Sequence, residues 1–147
     1  MIRMVSIGEK IVLTLWVGGM WAIGYMAVPS LFYNLEDRQL AGMIAGQLFF
    51  LIYVVGFVSS ILLLLSSLAQ GVQLALRNWR VWLLVVALIL ISVGLFVLQP
   101  LMQELKALGL EEGSAQAAQF AKYHGISSLM YLITSLVGLV LVITRKD

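Results

Sequence analysis

Four long stretches of this chain contain no aspartate, glutamate, lysine or arginine, and they limit its fold more than any other feature. They hold 25, 38, 23 and 22 residues, at positions 11–35, 39–76, 81–103 and 123–144. A helix needs about 20 apolar residues to cross a hydrocarbon layer of roughly 30 Å, because it rises ~1.5 Å per residue. The sequence therefore predicts an all-α protein, an integral membrane four-helix bundle.

The composition agrees with a lipid environment. Hydrophobic residues make up 62% of the chain and charged residues 11%, whereas roughly a quarter of residues are charged in soluble proteins. The formal charge of +2 comes from basic residues beside the predicted span ends, so it predicts orientation in a bilayer and no nucleic-acid partner. We expect one membrane domain over residues 1–147, with spans near residues 11–33, 42–69, 80–100 and 123–144.

Lysine and arginine are divided unequally between the two sides of the predicted bundle. The six on one side are Arg3, Lys10, Arg77, Arg80, Arg145 and Lys146, and the three on the other are Arg38, Lys106 and Lys122. The positive-inside rule then predicts that both termini are cytoplasmic and that the loop over residues 100–122 is outside.

The connections between the spans can also be predicted. The third helix should continue past Pro100, because apolar residues keep helical spacing as far as Gly109. Proline removes a backbone hydrogen bond and crowds the preceding turn, so we expect an irregularity there. Ser114 suits the N-cap of a last helix that begins near Ala115, and residues 70–78 form a short connection. No internal repeat is visible in the sequence.

Small and polar residues recur along one face of the first, second and last helices, and in lipid such faces indicate helix contacts. They include Gly18 in the first helix, Gly42, Gly46, Tyr53, Gly56 and Ser60 in the second, and Ser128 and Gly138 in the last. The third helix has fewer, so we predict that it shows the most surface to lipid. The Gly42-x-x-x-Gly46 pair permits close approach to a helix of the same chain or to a second copy.

His124 is the only histidine, and it lies at one end of the last span. An ionisable side chain at membrane depth is a functional candidate, and imidazole can carry protons, bind metal or ligate haem. The candidate ligand-binding residues are His124, Gln47, Gln99 and Tyr25, and the candidate metal ligands are His124, Met26 and Met43. Imidazole and thioethers would suit copper as Cu(I). The alternative is that His124 only reaches interfacial water.

The sequence gives no support for enzyme activity. It has no cysteine, no phosphate-binding glycine loop and no paired-histidine zinc motif. The uncharged stretches contain no acidic or basic relay, which argues against an ion-coupled transporter. With one histidine, a bis-histidine haem within one protomer is excluded.

Four short motifs carry a resemblance to a known family. They are Trp16-Val-Gly-Gly19, Val28-Pro29-Ser-Leu-Phe32, Ala41-Gly-Met-Ile-Ala-Gly46 and Phe120-Ala-Lys-Tyr-His124-Gly-Ile-Ser127. The chain resembles the uncharacterised bacterial four-span membrane proteins related to human transmembrane protein 205, domain of unknown function 4149. More distantly it is similar to copper-resistance D-like membrane proteins and to the four-helix protoporphyrinogen oxidase that carries haem b. The resemblance implies a multi-pass protein of the bacterial inner membrane and no established activity.

Three functions stay open at this point. The first is a protein that binds or moves a small ligand or metal at an outward-facing pocket near His124. The second is a structural or accessory subunit, as a homo-oligomer or within a larger membrane complex. The third is a haem-dependent redox protein in which His124 ligates the iron.

Overall fold

The computed structural model describes residues 2–144, with side chains from residue 7 onward, and this range contains seven α-helices and two π-helical turns. The α-helices are α1 Ile2–Ala22, α2 Val28–Asn34, α3 Arg38–Ala69, α4 Val72–Arg77, α5 Trp79–Val93, α6 Gln99–Ala107 and α7 Ala115–Ile143, and the π turns are Ile23–Ala27 and Gly94–Leu98.

Several of these elements join end to end into four long apolar helices. They are span 1, Ile7–Asn34; span 2, Arg38–Ala69; span 3, Trp79–Ala107; and span 4, Ala115–Ile143. Each is long and apolar enough to cross a bilayer. The predicted all-α membrane four-helix bundle is therefore confirmed.

The spans form an antiparallel ring. Each packs against its neighbours in the chain, and span 1 also packs against span 4. Arg80 of span 3 meets Thr144 at one end, and Lys106 of the same span meets Gly42 at the other. We call these the Arg80 end and the Lys106 end. The count of lysine and arginine predicts that the Arg80 end is cytoplasmic. Arg145 and Lys146 are included in that count and lie outside the described residues.

Spans 1 and 3 each contain a π turn that ends two residues before a proline. The two pairs are Ile23–Ala27 with Pro29 and Gly94–Leu98 with Pro100. Proline lacks an N–H and crowds the carbonyl group four residues earlier, so a wider turn with i→i−5 bonds relieves the conflict. The amide of Gln99, for example, donates to the carbonyl of Gly94. The irregularity predicted at Pro100 is thus a π turn, and the helix continues beyond it.

The ends of the helices follow local sequence rules. The Ser114 side chain accepts a hydrogen bond of 3.1 Å from the amide of Ala117, so span 4 begins at Ala115 as predicted. Gly109, just beyond span 3, has φ +89°, a conformation that glycine adopts without steric cost. The connection between spans 2 and 3 contains the short helix α4.

Span 3 is the most buried of the four, and span 1 is the least. In the 18-residue apolar segment of each span, 39% of the residues are buried in span 3, compared with 17% in span 1. Ala87 and Ile91 of span 3 are 0% and 1% exposed. The prediction that the third helix shows the most surface to lipid is therefore wrong. Its large aliphatic side chains fill the core, whereas the prediction counted only small and polar residues.

Candidate functional site

Two tyrosines pack against the glycines of the two π turns. Tyr131 of span 4 lies over Gly24 of span 1, where an added Cβ would overlap the phenol ring. Tyr53 of span 2 lies over Gly94 of span 3, where a Cβ would come within 2.9 Å of the ring and 3.1 Å of the hydroxyl. The two rings meet edge to face, with centroids 6.0 Å apart. Spans 4 and 1 thus use the same packing arrangement as spans 2 and 3.

The two tyrosine hydroxyls differ in their hydrogen bonds. Tyr131 donates to the carbonyl of Met20 at 2.6 Å. Tyr53 is 3% exposed, and its hydroxyl has no hydrogen-bond partner among the residues that the structure describes. Because a buried, unpaired hydroxyl costs roughly 1–3 kcal/mol, it indicates a bound water or ligand.

One polar side chain lies near the Tyr53 hydroxyl, and a second is buried on the helix that Tyr53 packs against. Ser127 of span 4 faces it without completing a hydrogen bond. Gln99 of span 3 lies one π turn from Gly94, toward the Lys106 end, and is 6% exposed. We call Tyr53, Gln99 and Ser127 the polar cluster. Hydroxyl and amide groups both donate and accept, so the polar cluster offers hydrogen-bond donors and acceptors.

The polar face of span 2 continues toward the Arg80 end. The Trp16 ring of span 1 lies over Gly56, with Nε1 2.5 Å from the position that a Cβ would take. This Nε1 and the hydroxyl of Ser60 are also buried without a hydrogen-bond partner in the described part of the chain. Beyond Ser60 the buried residues that the structure describes are apolar, and they include Leu63, Leu84 and Leu141. The unpaired polar atoms therefore lie in the middle of the bundle, with Ser60 on the side of the Arg80 end.

His124 lies on the outside of span 4. It is exposed, and its ring stacks on that of Phe120 with centroids 5.9 Å apart and an interplanar angle of 10°. Its backbone carbonyl accepts a hydrogen bond of 2.8 Å from Ser128. The described residues contain no group of three or more histidine, cysteine, aspartate or glutamate side chains that could hold a metal.

The other predicted ligands are spread over the bundle. Gln99 belongs to the polar cluster, whereas Gln47 is exposed. The Tyr25 hydroxyl lies 2.7 Å from that of Ser135. Met26 and Met43 are 71% and 54% exposed.

The predicted packing residues fall into two groups. A Cβ at Gly138 would lie 2.8 Å from Val17, so this glycine and Gly56 allow close helix contacts. Gly18 and Gly42 have no atom within 4 Å of such a Cβ, and the nearest atom at Gly46 is Nζ of Lys106, at 3.5 Å. Ser128 is exposed.

The sequence predicts a packing role for Tyr53 and gives no site role to Trp16. The spacing of glycine and serine around Tyr53 predicts that this face of span 2 is buried. It does not predict that the Tyr53 hydroxyl lacks a hydrogen-bond partner. A shallow open groove lies at α4, lined by Gly71, Val72, Gln73, Leu74 and Arg77, and contains no candidate residue.

Comparison with known proteins gives one match. A family model described as Domain of unknown function (DUF4149) matches residues 11–111, from span 1 to the end of span 3. No curated protein and no solved structure matches the chain. The predicted relationships to transmembrane protein 205 and to copper-resistance D-like proteins stay predictions.

Proposed function

This chain belongs to the DUF4149 family, a domain of unknown function, and we propose that it binds a small uncharged molecule between its spans. Three of the four motifs that predicted the family lie within the matched residues 11–111, and the fourth, at residues 120–127, lies outside them. The proposed site is the polar cluster. The observation that supports it best is the buried Tyr53 hydroxyl without a partner. At the equivalent position, the Tyr131 hydroxyl donates a hydrogen bond to the carbonyl of Met20.

The chemistry of the polar cluster limits the ligand. Its three side chains are neutral, and Leu95 and Leu98 beside them are buried apolar residues. A charged ligand would lose its hydration without gaining a counter-charge. The proposed ligand is therefore a small molecule with a hydroxyl, carbonyl or amide group on an apolar body.

The proposed route to the site is from the Lys106 end. Between Ser60 and the Arg80 end, the buried side chains that the structure describes are apolar. The charge count predicts that the Lys106 end faces away from the cytoplasm. In this proposal the protein lies in a bacterial inner membrane with both termini in the cytoplasm, and His124 and Phe120 lie at the rim of the route.

A pair of tyrosine variants tests this function. Tyr53→Phe removes the unpaired hydroxyl, and Tyr131→Phe removes a paired one in matched packing. Native mass spectrometry from a mild detergent should show a bound small molecule on wild type and Tyr131→Phe but not on Tyr53→Phe. Thermal unfolding should show a loss of about 1 kcal/mol for Tyr131→Phe.

Two outcomes would reject the proposal. If Tyr53→Phe is as stable as wild type and no mass is bound to either, the hydroxyl holds nothing. If Tyr53→Phe is less stable but wild type carries no bound mass, the occupant is water, and ligand binding is rejected.

A second candidate function, as a subunit of a homo-oligomer or larger complex, is favoured by glycines on the outer surface. Gly18 and Gly125 are exposed, and a Cβ at either would meet no atom within 4 Å. Small residues on a lipid-facing surface allow another helix to approach closely. Gly18→Leu should disrupt an association that Gly18→Ala preserves, measured by light scattering in detergent. Equal mass for wild type and both variants would reject this role for Gly18.

A further inference from the structure

Lys106 is a half-buried cation near the end of span 3. Its Nζ donates to the carbonyl of Gly42 at 3.2 Å and lies 5.5 Å from the centroid of the Phe120 ring. An ammonium group has three donors and a full charge, and these contacts use one donor. No carboxylate within the described range forms an ion pair with it. Lys106 can therefore bind an anion.

The depth of Lys106 corresponds to the lipid headgroups. Gly46, beside its Nζ, is separated along span 2 by 20 residues from Ser66, which is hydrogen-bonded to Glu9. At ~1.5 Å per residue this distance is about 30 Å, the thickness of the hydrocarbon layer. Lys106 and Glu9 thus lie at opposite boundaries of the layer.

Two side-chain nitrogen atoms lie beside the face of span 2 that carries Gly42 and Gly46. The Cβ position of Gly46 is 3.5 Å from Nζ of Lys106 and 3.8 Å from Nε2 of Gln103. The Cβ position of Gly42, one turn away, has no atom within 4 Å. We call Lys106, Gln103, Gly42 and Gly46 the lysine cradle. It presents an ammonium and an amide donor beside an open backbone surface.

Exposed aromatic residues continue from the lysine cradle toward the middle of the bundle. Phe50 is 52% exposed and lies four residues from Gly46, so the two share a face of span 2. Phe96 of span 3 is 61% exposed and packs edge to face on Phe57, seven residues from Phe50, with ring centroids 5.4 Å apart. An anion in the lysine cradle with an attached hydrocarbon chain could therefore lie along Phe50 and Phe96, whereas a free anion would use neither.

We propose that the lysine cradle binds the phosphate of a phospholipid headgroup, with the acyl chains along Phe50 and Phe96. Lys106 supplies the charge and Gln103 a second hydrogen bond. This site is separate from the polar cluster and does not depend on the proposed ligand there.

Titration with phosphatidylglycerol, followed by native mass spectrometry and thermal unfolding in detergent, tests the lysine cradle. Lys122→Gln removes an exposed lysine near the same end and is the matched control. Phosphatidylglycerol should bind and stabilise wild type and Lys122→Gln, and its binding to Lys106→Gln should be at least about tenfold weaker, since one charge-assisted contact is lost. Gly46→Leu fills the lysine cradle while keeping Lys106, so it should weaken binding even if Lys106→Gln does not fold.

Two results would overturn the proposal. One is equal phosphatidylglycerol binding by wild type, Lys106→Gln and Gly46→Leu. The other is equal stabilisation of wild type by inorganic phosphate, which would identify a free-anion site. Tyr53→Phe should leave lipid binding unchanged, so failure of the polar cluster and failure of the lysine cradle can be distinguished.

Discussion

The hydroxyl of Tyr131 donates a hydrogen bond of 2.6 Å to the carbonyl oxygen of Met20, which joins span 4 to span 1 just before its π turn. This contact requires Gly24, since any side chain there would overlap the tyrosine ring. Spans 2 and 3 repeat the packing with Tyr53 and Gly94 but not the hydrogen bond. The repeated packing therefore stabilises one pair of helices and leaves a polar group unsatisfied in the other.

Gly24→Ala should destabilise the bundle by about 1–3 kcal/mol, because its methyl group would displace the Tyr131 ring. Gly18→Ala in the same span is the control. Nothing lies within 4 Å of its Cβ position, and alanine favours a helix by up to about 1 kcal/mol over glycine. Thermal unfolding in detergent measures both, and equal losses would contradict the proposed contact.

Ala87→Leu should be more harmful than Gly46→Leu. Ala87 is fully buried, so the larger side chain would overpack the core at a cost of about 1–3 kcal/mol. At Gly46 the neighbours are the flexible ends of Lys106 and Gln103, which can move. The midpoint of unfolding of the two lipid-free proteins gives the comparison. A greater loss for Gly46→Leu would show that the core is packed differently at span 3.

Arg80→Gln should loosen the end of span 4. The guanidinium donates to the Thr144 hydroxyl at 2.8 Å and to the Leu141 carbonyl at 2.9 Å, and its charge is favourable at a helix C-terminus. We expect a loss of about 1–3 kcal/mol and faster amide exchange in the last turn of α7. Arg77→Gln, at an exposed arginine, should stay within about 0.5 kcal/mol of wild type. An unchanged rate of amide exchange in the last turn of α7 would show that these hydrogen bonds do not stabilise the end of the helix.

His124→Gln should leave stability within about 0.5 kcal/mol of wild type, because the side chain is exposed. Elemental analysis and visible absorption of both proteins test the copper and haem alternatives. Metal or haem present in wild type and lost in the variant would support His124 as a ligand. Identical contents, including none in either, would leave it a surface residue.

Reporter fusions test the predicted orientation, which rests on six basic residues against three. A reporter active only outside the cytoplasm should be active when inserted near Gly113 and inactive after Asp147. The reverse pattern would place the Lys106 end in the cytoplasm and would reverse the proposed route to the polar cluster.

The sequence predicted features that depend on residues close together in the chain. The charge-free stretches predicted four spans, Ser114 predicted the start of span 4, and Pro100 predicted an irregular turn within span 3. Of the candidate ligand-binding residues, only Gln99 belongs to the polar cluster. The charge-free stretches show that a helix is apolar enough to lie in lipid. Because lipid and the protein core are both apolar, composition cannot predict which face of span 3 is buried.

The sequence by itself determined that the chain forms four membrane helices, since charge and hydropathy act residue by residue on the cost of leaving water. Only the tertiary structure decided that Tyr131 is paired and Tyr53 is not, that His124 faces outward, and that Lys106 meets Gly42. Each depends on how helices distant in the chain are rotated and tilted against each other. That rotation is set by the fit of particular pairs, such as Trp16 on Gly56 and Val17 on Gly138, and a single helix contains only one member of each pair.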